Sequence, residues 1–177
     1  MKKSLSMLAM GAAALGFALA PAISAQNANR MAAADNTFAT KAAEGGMAEV
    51  QLGKLAQTNA SSSDVKSFGD RMVTDHTKAA DELMNLAGKR GITLPSTPNA
   101  KQQAEYNRLA KLHGADFDRE YMKLMISDHR TDVNEFKREA DHGSDPDMKA
   151  YAAKTLPVLQ EHLQLAESTD AKVKNEK

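Results

Sequence analysis

The chain contains no cysteine and no tryptophan, and only 5% of its 177 residues are aromatic. Without cysteine there is no disulfide framework, no thiolate chemistry and no lipid-anchoring thiol. With few aromatics, a core must be built from Ala, Leu, Met and Val, which suits closely packed helices better than a β-sandwich. An excess of either charge is also missing, since 23 basic residues face 23 acidic ones. That balance argues against nucleic-acid binding and against tight attachment to an anionic membrane. After the N-terminal segment no stretch is apolar enough to span a bilayer. A Gly-rich phosphate loop, a nucleophile elbow and a Ser/His/Asp order are all absent, so hydrolase and nucleotide chemistry are disfavoured.

What is present begins with an export signal. Lys2 and Lys3 form a positive start, Leu5 to Leu19 an apolar run, and Ile23-Ser24-Ala25 a cleavage site after Ala25. Residues 1–25 therefore read as a signal peptide and 26–34 as a flexible leader. Residues 35–171 read as the folded domain and 172–177 as a frayed, charged tail. The mature protein is expected to be soluble and exported, in the periplasm or cell envelope.

Four long stretches carry apolar residues at spacings of three and four, the mark of a helix with one buried face. The first runs from about Thr37 to Thr58, capped by Asp35 or Asn36, and its glycines 45, 46 and 53 suggest a closely approaching neighbour. The second runs to about Arg90 and stops at Gly91, with Ser61 and Asp64 at capping-box spacing. A short helix from about Ala100 to Leu112 follows a loop marked by Pro95 and Pro98. The third long helix ends near Asp141. The fourth opens with Ser144 and Asp147, again at capping-box spacing, contains Pro157, and ends near Ala171. Short turns after the first and third long helices, with a long crossover between, describe an all-α fold. It is a ferritin-like antiparallel four-helix bundle with a short extra helix in the crossover.

One ligand-type residue lies on the apolar stripe of each long helix: Glu49, His76, His129 and His162. A polar residue there requires a partner. Three imidazoles and a carboxylate suit Zn, Fe, Cu or Ni, so one transition-metal ion is the expected cofactor. Counting 1.5 Å per residue, Glu49 and His76 differ in depth by roughly 6 Å, and His129 and His162 by a similar amount. Asp75, Asp128 and Glu161 each precede a histidine, pointing to a flank where they can orient an imidazole of a neighbouring helix. Asp132 shares a face with His129. The alternative is a metal-free polar layer in a structural or protein-interaction module, with an envelope protein as partner.

Several neighbouring signals are weaker. The diiron pattern needs Glu-x-x-His on two helices, and here only Glu139 and His142 show it, at a helix end beside Gly143. Met72, Met122 and Met125 lie near the histidines, where thioethers would favour Cu(I), but stripe methionines are ordinarily core filler. His113 and His142 flank glycines at helix ends. No enzymatic reaction is indicated.

The segments FATKAAEGGMAEVQLGKLA, VKSFGDRMVTDHTKAADEL, FDREYMKLMISDH and LPVLQEHLQLA together resemble a family of exported bacterial ferritin-like proteins. That family carries an outer-membrane label and is catalogued as domain of unknown function four-one-four-two. The resemblance covers about residues 35 to 170. It implies a helical bundle in the periplasm or at the envelope, and no established activity. The label conflicts with the residues, which lack the alternating ten-residue strands of a membrane barrel. Metal handling or envelope stress is the expected setting.

Overall fold

The computed structural model describes residues 20–175, with side chains from residue 33 onward; most of the expected signal lies outside the described residues. Among the described residues there are five helices and no strand. They are α1 (Ala20–Asn59), α2 (Ser63–Arg90), α3 (Ala100–Leu109), α4 (Gly114–His142) and α5 (Pro146–Asn175). No described helix is long and apolar enough to cross a membrane.

The largest interfaces are α1 with α2 and α4 with α5; α2 with α5 and α1 with α4 close the ring. Cross-helix partners show that these neighbours run antiparallel. On α2 and α5, Asp64 pairs with Lys172, Asp75 with His162, and Glu82 with Lys154. Between α1 and α4, Phe38 meets Phe136, while Asn59 reaches the Leu112 carbonyl in the turn just before α4.

Several boundaries differ from the sequence reading for identifiable reasons. α1 is already helical across residues 26–34. Asp35 therefore lies inside the helix and cannot cap it. Its carboxylate instead crosses to the α4–α5 turn, accepting from the Ser144 amide at 3.0 Å, the Asp145 amide at 2.8 Å and the Ser144 hydroxyl. The opposite end mirrors this. Asp118 of α4 accepts from the Ser62 amide at 2.9 Å and from the Ser61 amide and hydroxyl. Neither Ser61 nor Ser144 caps its own helix. Each gives its hydroxyl to a carboxylate from another helix, and Asp145 Oδ1 takes the Asp147 and Met148 amides. At the C-terminus α5 continues to Asn175, held by Lys172 on Asp64 and Lys174 on Asp170.

Of the expected glycine contacts only Gly53 makes one, and its partner is Gly69. A Cβ on Gly53 would stand 2.6 Å from the Gly69 carbonyl, and one on Gly69 would stand 2.8 Å from the Gly53 carbonyl. The α1 and α2 backbones touch there, which only glycine permits. Gly45 and Gly46 instead border open space.

The apolar residues form two clusters. One gathers Leu52, Phe68, Met72, Phe117, Tyr121 and Met125 toward the α1–α2 turn. The other gathers Phe38, Leu83, Phe136, Met148 and Tyr151 toward the α4–α5 turn. Between them lies a layer of buried polar side chains.

Candidate metal centre

α1 supplies Glu49, α2 His76, α4 His129 and α5 His162, with relative exposures of 2%, 6%, 0% and 1%. All four meet between the two apolar clusters. The depth mismatch expected from counting closes because side chains lean toward the N-terminus of their own helix. In an antiparallel pair the residue farther from the turn leans back toward it when it sits on the second helix. His76 and His162 do so, meeting Glu49 and His129, which lean away from their turns.

Ligand-type atoms of His76, His129 and His162 lie within 4.8 Å of one another. Glu49 borders this set: Oε2 is 3.0 Å from His76 Nε2 and Oε1 is 3.4 Å from His129 Nδ1. Neither contact is aligned as a hydrogen bond. Both Glu49 oxygens and His76 Nε2 are buried without a hydrogen-bond partner among the described residues. A buried carboxylate without a donor is costly, by several kcal/mol on general grounds, unless a cation compensates it.

The other two imidazoles are oriented from outside. His129 Nδ1 lies 2.9 Å from the Met125 carbonyl, one turn back on α4. A carbonyl only accepts, so Nδ1 carries the proton and Nε2 presents a lone pair. His162 Nε2 lies 2.8 Å from Asp75 Oδ2. Burial alone would raise the Asp75 carboxyl, but hydrogen bonds from Arg71 and His162 outweigh it and hold the group below its ordinary value. Asp75 is therefore ionised, His162 Nε2 donates, and His162 Nδ1 presents a lone pair. These two bare nitrogens, His129 Nε2 and His162 Nδ1, face each other at 3.3 Å.

That juxtaposition needs a positive charge, either a second proton on one ring or a metal ion. Burial lowers the affinity of both rings for that proton, with His162 pushed down to about 4. In His76 burial also acts downward, but the charge of Glu49 outweighs it and the net shift is upward. Glu49 is itself pushed up by burial and pulled further down by the three histidines, ending at about 2. The layer thus combines an ionised carboxylate with two imidazoles that resist protonation. Metal–nitrogen bonds of about 2.0–2.1 Å place neighbouring ligands of a tetrahedral ion about 3.4 Å apart, which matches the His129–His162 separation.

The expected supporting acids have different placements. Asp75 reaches an imidazole on the neighbouring helix, His162, at 2.8 Å. Glu161 points outward and meets Arg71 Nη2 at 3.0 Å, so it reaches His162 only through Arg71 and Asp75. Asp128 and Asp132 touch no histidine by hydrogen bond; they line a cavity of about 300 Å³ between α1, α3 and α4, which Glu49 also lines. Burial first, then Glu49, pushes Asp128 up to about 7. Burial, Glu49, Asp128 and Glu135 all push Asp132 upward. His113, the residue before α4, and His142, the last of α4, lie outside the cluster.

Sequence reasoning missed three parts. The Met125 carbonyl was accessible as the residue four before His129. Arg71 was accessible as the residue four before Asp75, which it holds by an ion pair. Tyr121 gave no signal: it is fully buried, its hydroxyl has no partner among the described residues, and burial followed by the Glu49 charge pushes its ionisation upward.

A helical chain whose long helices enclose a histidine layer is the class that fold and site define. The chain belongs to the family described as domain of unknown function DUF4142, whose profile matches residues 20–169. No curated protein matches it. Two solved structures resemble it in fold. One is described as "putative secreted protein DUF305 from Streptomyces coelicolor", with 16% identity, covering 79% of this chain and 92% of that one, at a TM-score of 0.68. The other is a DUF305 fragment from Deinococcus radiodurans, with 15% identity, covering 78% of this chain and 96% of that one, at a TM-score of 0.69.

Proposed function

We propose that this protein is an exported, ferritin-like four-helix-bundle protein of the periplasm or cell envelope. It holds one transition-metal ion through His76, His129 and His162, with Glu49 as the fourth donor. The observation that carries the reading is the pair of bare ring nitrogens, His129 Nε2 and His162 Nδ1, at 3.3 Å. Each is committed to its lone pair by a proton donated outward from the other side of its ring. This is the support that metal-ligating histidines ordinarily receive from carbonyls and carboxylates.

The donor set suits Zn, Fe or Cu, and the ion would supply a Lewis-acidic or redox centre when bound. Glu49 would offset part of its charge in a layer with little water. Asp75, fixed by Arg71, would keep His162 in the ligating tautomer. Metal handling or protection of the envelope under stress is the role that fits an exported site of this kind. The secreted description of one structural neighbour supports export.

The test is the metal content of untagged protein isolated from its native compartment. The reading expects about one ion per chain and a thermal midpoint lowered by chelator. Substoichiometric metal, with stability unmoved by chelator, would overturn it. A second reading rests on Glu49 and His76, whose charges favour each other. In it the layer is a metal-free polar network within a structural or protein-interaction module. That reading expects His76→Leu to alter stability without changing metal content.

A further inference from the structure

Two of the cavities beside the buried polar layer differ in charge. The first is the cavity of about 300 Å³ between α1 and α4, roofed by the N-terminal part of α3. Its walls carry Glu44, Glu49, Glu105, Asp128, Asp132 and Glu135 against two lysines, 41 and 101. Lys41 is already paired with Glu135. The second, about 140 Å³, opens between α2 and α5 onto His76 and His162. There Arg71, Lys78 and Lys154 outnumber Asp75 and Glu82, so it discourages cations.

The α3 roof is built in. Asn99 and Gln102 cap α3 reciprocally, and Asn99 Nδ2 also donates to Glu44 Oε2 at 3.0 Å, tying α3 to α1. Just beyond its far end, in the turn before α4, the Leu112 carbonyl accepts from Asn59 Nδ2 at 2.8 Å. α3 is thereby held across the groove and leaves the cavity open beneath its start.

An acidic lining alone would be no more than a solvated surface. Here one member is different: Glu49 lines the cavity, is 2% exposed, and has both oxygens without a hydrogen-bond partner among the described residues. It also stands 3.0 Å from His76 Nε2. The same carboxylate belongs to the inner wall of the acidic cavity and to the rim of the histidine cluster.

We propose that the cavity under α3 is a cation-loading port for the histidine site, in which divalent ions pass from the outer carboxylates to Asp132 and then to Glu49. This rests on the metal reading above. A cleft lined by one sign of charge concentrates ions of the opposite sign and speeds their capture. Glu49 is the last oxygen donor before the imidazoles, so it hands the ion from a carboxylate environment to a nitrogen one. The α2–α5 opening is not the cation route.

Rapid mixing of the metal-free full-length chain with Co²⁺, followed by the visible absorbance of histidine-bound cobalt, tests the port. Gly45→Leu narrows the cavity without changing charge, since the space beside Gly45 holds only Gln102 Nε2 at 3.9 Å. It is expected to slow loading and release by the same factor, about ten-fold, leaving the equilibrium constant unchanged. Asp132→Asn removes a carboxylate donor from the path and is expected to slow loading about ten-fold. Glu82→Gln, on the opposite face, is expected to change neither. Unchanged rates in both port variants, or equal slowing by Glu82→Gln, would overturn the port while leaving the metal site standing. A wild-type chain that binds no Co²⁺ would overturn both.

Discussion

Two kinds of buried carboxylate occur in this molecule and are treated in opposite ways. Asp35 and Asp118, at 4% and 2% exposure, lie at opposite ends and are saturated with donors from the turn they face. Glu49 is buried just as deeply, in the middle, and receives no hydrogen bond from the described residues. The end carboxylates lock turns: Asp35 of α1 clamps the α4–α5 turn, and Asp118 of α4 clamps the α1–α2 turn. The central carboxylate holds no turn; its oxygens face His76 Nε2 at 3.0 Å and His129 Nδ1 at 3.4 Å. A buried anion that satisfies backbone amides stabilises the fold, whereas one facing imidazoles calls for a positive charge beside it.

The contrast can be broken by removing each carboxylate in turn. Asp118→Ala leaves the Ser61 and Ser62 amides without their partner. It is expected to cost roughly 3 kcal/mol in urea unfolding while leaving metal affinity unchanged. Glu49→Gln should do the reverse. Above the pH at which His76 gives up its proton, the metal-free variant is expected to be at least as stable as wild type, yet to bind metal at least about ten-fold more weakly. If Glu49→Gln proves as destabilising as Asp118→Ala, Glu49 is a structural residue and the distinction fails.

Asp75→Asn sharpens the role of the outer shell. The amide can still accept from His162 Nε2 but carries no charge, so metal affinity is expected to fall about ten- to a hundred-fold in a calorimetric titration, with little change in fold stability. An unchanged affinity would show that His162 needs no help in choosing its tautomer.

The smallest effect concerns Glu139, which sits beside Asp35 at the α4–α5 turn. Burial first, then the Asp35 charge, pushes its carboxyl up from 4.5 to about 7. Between those values the folded chain keeps a proton that the unfolded chain releases, so stability falls as pH rises through that window. Glu139→Gln cannot lose a proton. The variant is expected to be more stable than wild type by about 1 kcal/mol above pH 7 and to show a flatter pH profile in thermal unfolding.

Much of this organisation was legible in the residues. The three- and four-residue spacing located the long helices, because an amphipathic helix must bury a continuous stripe. The same stripe singled out Glu49, His76, His129 and His162, since a polar group on it is conspicuous. What stayed hidden depends on the third dimension. Asp35 looked like a cap for its own helix, and Ser61 and Ser144 looked like caps for theirs; each instead serves a turn or carboxylate far away in sequence. Gly45 and Gly46 looked like packing glycines, but the close approach is at Gly53 and Gly69; Gly45 borders the acidic cavity and Gly46 has open space beside it. Glu161 seemed equivalent to Asp75, yet it meets Arg71 and stays largely exposed, while Asp75 reaches the His162 ring.

The central claim is that His129 Nε2 and His162 Nδ1 face each other as bare lone pairs, ready for one metal ion. Nitrogen-15 NMR of the metal-free protein, histidine-labelled and recorded near neutral pH, reads those protonation states directly. The account predicts that His129 carries its proton on Nδ1 and His162 on Nε2, both rings neutral. Adding Zn²⁺ should then shift His129 Nε2 and His162 Nδ1 and leave their protonated partners in place. A doubly protonated ring in the pair, or nitrogen shifts unmoved by Zn²⁺, would contradict it.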